Sequence, residues 1–218
     1  MRIAVLGTGT VGPALAGKFI ELGHQVTMGS RDANNPKAVE WADAAGTNAR
    51  ADSFFGAAAG ADVVVNATAG TASLQALEAA GADNLAGKVL LDVANPLDFS
   101  DGFPPSLAVL NTDSLAESIQ RVFPQARVVK ALNTMSAEVM VSPGLVGGGD
   151  HDVFLAGDDD GAKAVVVGLL QEMGWQAGHI RDLGPLEAAR GLEMYLPLWL
   201  RLMMSSGRSR FNIRIVSG

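Results

Sequence analysis

The sequence predicts an α/β fold in which a mostly parallel β-sheet is covered by helices on both faces. Short apolar runs alternate with helical segments from the first residues onward, which is the pattern of repeated strand–helix–strand units. A glycine-rich turn directly follows the first strand and opens the first helix. The chain has 218 residues, of which 48% are apolar, enough for one domain with a substantial core.

The alternation of apolar runs and helical segments assigns the elements. The predicted strands are Arg2–Leu6, Gln25–Met28, Ala49–Ala51, Val63–Asn66, Val89–Val93, Arg127–Ala131, Asp152–Leu155 and Gln176–Ile180. The predicted helices are Val11–Leu22, Ser73–Ala80, Ser114–Val122, Ala162–Met173 and Leu186–Met204, with a small-residue helix between residues 43 and 60. We expect a single domain, with a doubly wound core over residues 1–135. An extension over residues 136–218 completes the sheet and ends in a long helix.

The composition excludes several classes of function. The formal net charge is −7 and there is no basic cluster, so nucleic-acid binding is not expected. The absence of cysteine removes disulfides, thiolate metal sites and cysteine nucleophiles, and it fits a reducing, cytoplasmic setting. The most apolar segment, Met194–Met204, contains Pro197 and Arg201 and is shorter than the roughly 20 residues that cross a bilayer. We expect neither a metal site nor a membrane segment.

A phosphate-binding turn is predicted at the start of the first helix. The motif GxGxxG consists of Gly7, Thr8, Gly9, Thr10, Val11 and Gly12. It follows a strand and opens a helix, which is the context that the dinucleotide-binding fingerprint requires. Its three glycines allow the tight turn, the close approach of a pyrophosphate and the packing of helix on strand. The sequence therefore predicts a Rossmann-type domain that binds a dinucleotide at this turn.

The end of the second strand favours NADP over NAD. NAD-binding sheets carry an acid at this position to hold the ribose hydroxyls. Here the strand ends at Gly29 and Ser30 and is followed by Arg31, whose guanidinium suits a 2′-phosphate. Asp32 keeps the NAD alternative open, but it lies two residues too late and suits a helix cap.

The residues of ordinary alcohol dehydrogenation are missing from the sequence. Tyr195 is the only tyrosine, and no lysine follows it four residues later. His24, His151 and His179 lack a motif with a carboxylate, and we expect them to be surface residues. Lys130 ends an apolar strand and is either a general acid or, as we favour, a lysine whose side chain reaches the surface. We therefore expect no catalytic residue that acts by acid–base chemistry.

A site without an acid–base pair suits hydride transfer between two cofactor rings, which the protein needs only to stack and orient. Small side chains follow the fourth, fifth and sixth strands and are expected to line such a cleft. We expect Ala67, Thr68, Asn95 and Pro96 to contact NADP, and Leu97, Asn133, Thr134 and Met135 to contact the second ring.

The chain resembles the family of NADP oxidoreductases that depend on coenzyme F-420, an 8-hydroxy-5-deazaflavin. The likeness rests on GTGTVG, GSR after strand two, VVKALNT, FLAGDDD and DLGPLEAARGLE. It implies that Thr8, Ser30 and Arg31 bind NADP. It also implies that Asn133, Thr134 and Met135 face the deazaflavin, with Gly207 closing over that ring.

Asn133 leaves the identity of the hydride acceptor open. Archaeal-type members of the family carry a histidine at this position. The VVKALNT form resembles the cytosolic domain of the six-transmembrane metalloreductases, which uses NADPH to reduce a flavin. FMN or FAD therefore stands beside F-420 as a candidate acceptor. The remaining alternatives are a non-catalytic NADPH-binding sensor or scaffold, and a reductase of a small carbonyl or imine substrate.

The last predicted helix has more apolar surface than one sheet can cover. Its apolar residues surround most of its circumference: Leu192, Tyr195, Leu196, Leu198, Trp199, Leu202, Met203 and Met204. A surface helix normally keeps one side polar, and an exposed apolar patch usually marks an interface. We expect a homodimer, which the family resemblance also implies. The alternative is that the tail Phe211–Val216 folds back over the helix.

Overall fold

The computed structural model describes all 218 residues and contains one large sheet. Its strands are β1 (Arg2–Leu6), β2 (Gln25–Ser30), β3 (Ala49–Ser53), β4 (Val63–Asn66), β5 (Val89–Asp92), β8 (Arg127–Ala131), β9 (Val153–Gly157) and β10 (Ile180–Asp182). Between β5 and β8, a separate antiparallel pair comprises β6 (Leu97–Asp98) and β7 (Ser106–Leu107). The predicted Rossmann-type, doubly wound and mostly parallel fold is confirmed.

Helices cover both faces of the sheet. They are α1 (Val11–Glu21), α2 (Pro36–Ala45), α3 (Phe54–Ala59), α4 (Ser73–Ala80), α5 (Ala82–Leu85), α6 (Leu115–Val122), α7 (Ala137–Val141), α8 (Asp160–Glu172), α9 (Ala189–Met194) and α10 (Leu196–Ser206). One apolar core lies under α1, α7 and α8, and the other lies under α3, α4 and α6. None of these helices has the length and apolar character needed to cross a membrane.

The order of the strands determines where a ligand can bind. Across the sheet the order is β10-β9-β8-β5-β4-β1-β2-β3, and only β8 and β9 pair antiparallel. The chain runs outward from β1 to β3 in one direction and then from β4 to β8 in the other. Such a reversal opens a crevice at the carboxyl ends of the two central strands, here β1 and β4.

Two predicted elements differ from the structure, and helices α2, α5 and α7 were not predicted. Residues 176–180 were expected to form a strand, but Ala177–His179 is a 3₁₀ turn and the strand begins at Ile180. The long last helix is bent and divides into α9 and α10. Pro197, which has no N–H to donate, lies in the first turn of α10. Helix α2 was missed, although Asn35 caps it and Pro36 opens it, a combination typical of a helix start.

The C-terminal tail covers one side of α10 and leaves the other exposed. The ring of Phe211 stacks on Trp199 with a centroid separation of 5.4 Å. The tail is tied to the start of β9, because the Ile215 N–H donates to Asp152 Oδ2 at 2.7 Å. On the other side, Leu198 and Leu202 stay 56% and 39% exposed. The tail therefore folds back over part of the helix, as the alternative expects. The remaining apolar surface is free to contact a partner.

The first turn of α1 packs against the preceding loop with no room for a side chain. A Cβ atom added to Gly12 would lie 2.0 Å from the carbonyl oxygen of Gly7. Gly17, in the same helix, has no atom within 4 Å of the corresponding position. A side chain is therefore excluded at Gly12 but can be accommodated at Gly17.

We expect Gly12→Ala to destabilise the fold by about 1–3 kcal/mol or more, because the added methyl group forces the turn and the helix apart. Gly17→Ala is the matched control and should stabilise by about 0.5–1 kcal/mol, the difference in helix propensity. Urea unfolding followed by circular dichroism measures both. Equal stability of the two variants would contradict the packing described.

The homodimer stays a prediction, and its basis is the exposed face with Leu198 and Leu202. Light scattering at micromolar concentration should give a mass of twice 22.5 kDa. Leu198→Glu should shift that mass towards the monomer, because it places a charge on the face that would be buried. A monomeric mass for the unmodified chain would show that the tail provides all the cover that α10 needs.

Candidate functional site

Two adjoining cavities open at the carboxyl ends of the central strands. The first, of about 440 Å³, lies between the glycine-rich turn and the end of β2, and we call it the turn cavity. The second, of about 320 Å³, lies beyond the ends of β4, β5 and β8, and we call it the strand-end cavity. Ala67, Thr68 and Ala69 line both. The two cavities therefore form one elongated cleft.

The turn cavity has the features of an anion-binding site. Gly7 has a φ of 122°, which a side chain would disfavour, and the space around Gly9 is open. At the N-terminus of α1, Thr10 makes no side-chain cap and the first turn carries no acid. The amides of this turn are therefore available to an anionic group such as a diphosphate, which the helix dipole also favours.

At the end of β2, one cation lines the turn cavity without any acid. Arg31 is exposed, lines the cavity and forms no ion pair within the chain. The Ser30 hydroxyl donates to the Asp32 carbonyl at 2.5 Å, so its hydrogen is already engaged. The Asp32 carboxylate accepts from the Asn34 N–H at 2.9 Å and does not line the cavity. This arrangement suits a 2′-phosphate better than a pair of ribose hydroxyls.

The strand-end cavity is lined by 16 residues, none with an ionisable side chain. The side chains of Asn95 and Asn133 cross its floor. The Asn95 amide donates to the Asn133 carbonyl at 2.9 Å, and the Asn133 amide donates to Asn95 Oδ1 at 2.9 Å. Leu97 and Met135 also line it, as predicted, together with Val11 from the glycine-rich turn. The cavity can hold and orient a ring, but it offers no general acid or base.

Some predicted site residues do not line either cavity. Thr10, Gly12, Pro96, Thr134 and Gly207 are absent from both walls. The backbone of Pro96 packs against Gly70, where an added Cβ would lie 2.8 Å from the Pro96 Cα. Thr134 is buried behind the wall, whereas Gly207 is exposed at the end of α10.

Several residues of the strand-end cavity were missed, among them Phe99, Met140, Leu196 and Trp199. Phe99 lies in a loop between β6 and β7, and nothing in the local sequence marks it as a wall. Trp199 was predicted only as part of an apolar helix. Its position in the cleft depends on the bend before α10, which the regular apolar pattern hides.

Lys130 does not reach the surface, so that interpretation is wrong. Its side chain is fully buried, and its Nζ lies 2.8 Å from both Asp92 Oδ2 and Glu193 Oε1 and 2.5 Å from the Ala94 carbonyl oxygen. Burial alone would lower the pKa of Lys130, but the two ion pairs outweigh it and hold that pKa above its ordinary value. Burial raises the pKa of the Glu193 carboxyl.

The three histidines lie away from the cleft, and none lines either cavity. His24 and His151 are buried, so the expectation that they are surface residues is wrong. His24 Nε2 lies 2.8 Å from Glu172 Oε2, and His151 Nε2 lies 2.8 Å from the Pro143 carbonyl oxygen. His179 Nδ1 lies 3.0 Å from Asp152 Oδ1, within hydrogen-bond distance. These contacts join helices and loops of the fold.

Comparison with known proteins relates this cleft to one family. A family model described as NADP oxidoreductase, coenzyme F420-dependent, matches residues 2–96. The F420-dependent NADP reductase of Methanothermobacter thermautotrophicus is 32% identical over all of this chain and 95% of its own length. The rat metalloreductase STEAP3 is 30% identical over 91% of this chain. The matched region makes up only 38% of the length of that metalloreductase.

A solved structure agrees over the full length. A crystal structure from Arthrobacter sp. FB24, provisionally assigned as an F420-dependent NADP reductase, is 52% identical and covers 100% of both chains with a TM-score of 0.94. The glycine-rich turn, β2 and the ends of β4 and β5 all lie within the matched residues 2–96. The chain belongs to the family of coenzyme F420-dependent NADP oxidoreductases.

Proposed function

We propose that this NADP-dependent oxidoreductase transfers hydride between NADP(H) and a deazaflavin of the coenzyme F420 type. The observation that carries the proposal is the strand-end cavity, which has no ionisable side chain and continues directly from the turn cavity. When bound, the nicotinamide would supply or receive the hydride, and the accompanying proton would be taken from water in one direction and released to water in the other. The chain itself needs only to hold two rings in contact.

The turn cavity would hold the adenosine half and the diphosphate of NADP. The free amides of the α1 first turn face the diphosphate, with Gly9 leaving room for its approach. Arg31 is the cation for the 2′-phosphate, and Ser30 shapes the loop through its bond to Asp32.

The strand-end cavity would orient the two rings. The small residues Ala67 to Ala69 leave space where the nicotinamide passes from one cavity to the other. The paired Asn95 and Asn133 offer polar groups to a ring edge, and Met135 and Trp199 provide apolar walls. Of the 16 lining residues, 11 are apolar, which keeps water from competing for the hydride.

An ordinary flavin is the second candidate acceptor. Asn133 and the 30% identity to a metalloreductase over most of the chain favour it. A small carbonyl or imine substrate is less well supported, because the localised anion that it forms needs a positioned proton donor and the strand-end cavity has no ionisable group. A reduced ring system spreads that charge and can take its proton from water. A sensor or scaffold that only binds NADPH is the remaining alternative.

Anaerobic mixing with NADPH and a panel of acceptors tests the function. We expect coenzyme F420 to be reduced faster than FMN, FAD or riboflavin, as followed by the absorbance band of each acceptor. Faster reduction of FMN or FAD would establish the flavin alternative instead. NADPH binding with no reduction of any acceptor would support the sensor or scaffold.

We expect Arg31→Ala to weaken NADPH binding by about 1.5–3 kcal/mol, the scale of a charge-assisted hydrogen bond. This is an increase in Kd of roughly tenfold to over a hundredfold. NADH binding should hardly change, since it lacks the 2′-phosphate. Arg50→Ala, which removes an arginine that does not line the cleft, is the charge-matched control. Equal losses of binding free energy for NADPH and NADH in a calorimetric titration would show that Arg31 does not bind the 2′-phosphate.

A further inference from the structure

We propose that Lys130 is a positioning residue for hydride transfer, and that it holds both sides of the strand-end cavity through a buried row of polar side chains. This inference rests on the proposed function. The row consists of Asn66, Asp92, Lys130 and Glu193, and we call it the polar row. Each member is at most 1% exposed.

The polar row follows the register of the sheet. Asn66 on β4 pairs with Asp92 on β5, and Asp92 pairs with Lys130 on β8. Paired residues of neighbouring strands project to the same face, so the three side chains meet side by side. The Asn66 amide donates to Asp92 Oδ1 at 2.8 Å, and the Lys130 ammonium donates to Asp92 Oδ2 at 2.8 Å.

One end of the polar row reaches the wall that the two cavities share. The Thr68 hydroxyl donates to Asn66 Oδ1 at 2.7 Å, and its backbone N–H donates to the same oxygen at 3.3 Å. Thr68 lines both cavities. A shift of Asp92 would therefore move Asn66 and, with it, Thr68 in the wall where the two cavities join.

The other end of the polar row holds the floor and the far wall. Lys130 donates to the carbonyl of Ala94, which lines the strand-end cavity beside Asn95. Glu193 accepts from the backbone N–H groups of Leu115 and Ala116 at 2.8 and 3.2 Å, which ties α9 to the N-terminus of α6.

The adjoining residue of α9 also reaches the floor, because the carbonyl of Leu192 accepts from the Asn133 amide at 3.0 Å. Lys130 thus connects β5, β8 and α9 at the cleft.

Two arguments distinguish a positioning role for Lys130 from a catalytic role and from a purely stabilising role. The three hydrogens of the Lys130 ammonium already have three acceptors, and the residue lines neither cavity, so it does not contact a bound ring. Well-packed apolar residues often replace buried ion pairs without loss of stability. Removing Lys130 alone would leave two carboxylates facing each other in a dry site, which displaces the groups they hold.

The test compares Lys130→Met with Leu85→Ala. Leu85 is buried in α5, which precedes β5 and so lies at the opposite edge of the sheet. Both changes should lower the urea midpoint by about 1–2 M. Only Lys130→Met should lower kcat for acceptor reduction, by about 10²-fold, the scale of a misplacement near 1 Å. The Kd of NADPH should change much less than kcat, since the glycine-rich turn and Arg31 form no hydrogen bond with the side chains of the polar row.

Backbone hydrogen exchange reports on the cavity walls without any acceptor. Residues 66–70 and 92–97 should exchange faster in Lys130→Met than in Leu85→Ala. Equal exchange and equal kcat in the two variants would overturn the positioning role. An unmodified chain that reduces no acceptor would overturn the proposed function, while the exchange rates still decide the role of Lys130.

If Lys130→Met does not fold, Glu193→Gln takes its place. This variant keeps the shape of the side chain but removes one charge partner of Lys130, and its amide nitrogen can no longer accept one of the two backbone N–H groups of α6. It should lower kcat about tenfold, the weight of one charge-assisted hydrogen bond, with faster exchange in residues 92–97. An unchanged kcat with unchanged exchange would overturn the proposal.

Discussion

Parallel pairing of the strands is the constraint on which the site depends. Because β1, β2, β4, β5 and β8 all pair parallel, their carboxyl ends and the loops that follow meet at one edge of the sheet. The reversal of strand order between β1 and β4 keeps helices from closing over that edge. The two cavities open there, and their shared wall, Ala67 to Ala69, follows β4.

The charged side chains near the cleft lie outside the strand-end cavity, where the proposed reaction takes place. Behind the strand-end cavity lies a fully buried ammonium with two carboxylates, whereas the 16 residues on the cavity surface are uncharged. In the proposed function a hydride passes from one ring to another, and a neutral, largely apolar wall suits that transfer. Arg31, the cation proposed to bind the 2′-phosphate, lines the turn cavity and not the strand-end cavity. The proposed function thus places nucleotide binding and hydride transfer in different parts of one cleft.

The sequence predicts the fold and the residues that the turn cavity shares with the glycine-rich turn and the end of β2 well, because both depend on local patterns. The glycine-rich turn, the Ser30–Arg31 pair and the alternation of strands and helices are each readable within a few residues. The burial of Lys130 in two ion pairs is not readable in this way, since its partners lie 38 and 63 positions away along the chain. Trp199 and Phe99 enter the cavity only through a helix bend and a loop, which periodicity does not encode. The strand predicted at Gln176–Ile180 is displaced because a 3₁₀ turn takes its first residues.

The attachment of the tail has a consequence for the order in which the molecule acquires its parts. All residues of the turn cavity lie between Gly7 and Ala79, whereas the strand-end cavity also needs Leu196 and Trp199. Trp199 is backed by Phe211, and the tail is anchored to Asp152 across 63 positions. The residues of the turn cavity are also synthesised before Leu196, Trp199 and the tail. We therefore expect the turn cavity to form first during synthesis, and the strand-end cavity to be completed only when the last helix and tail have docked.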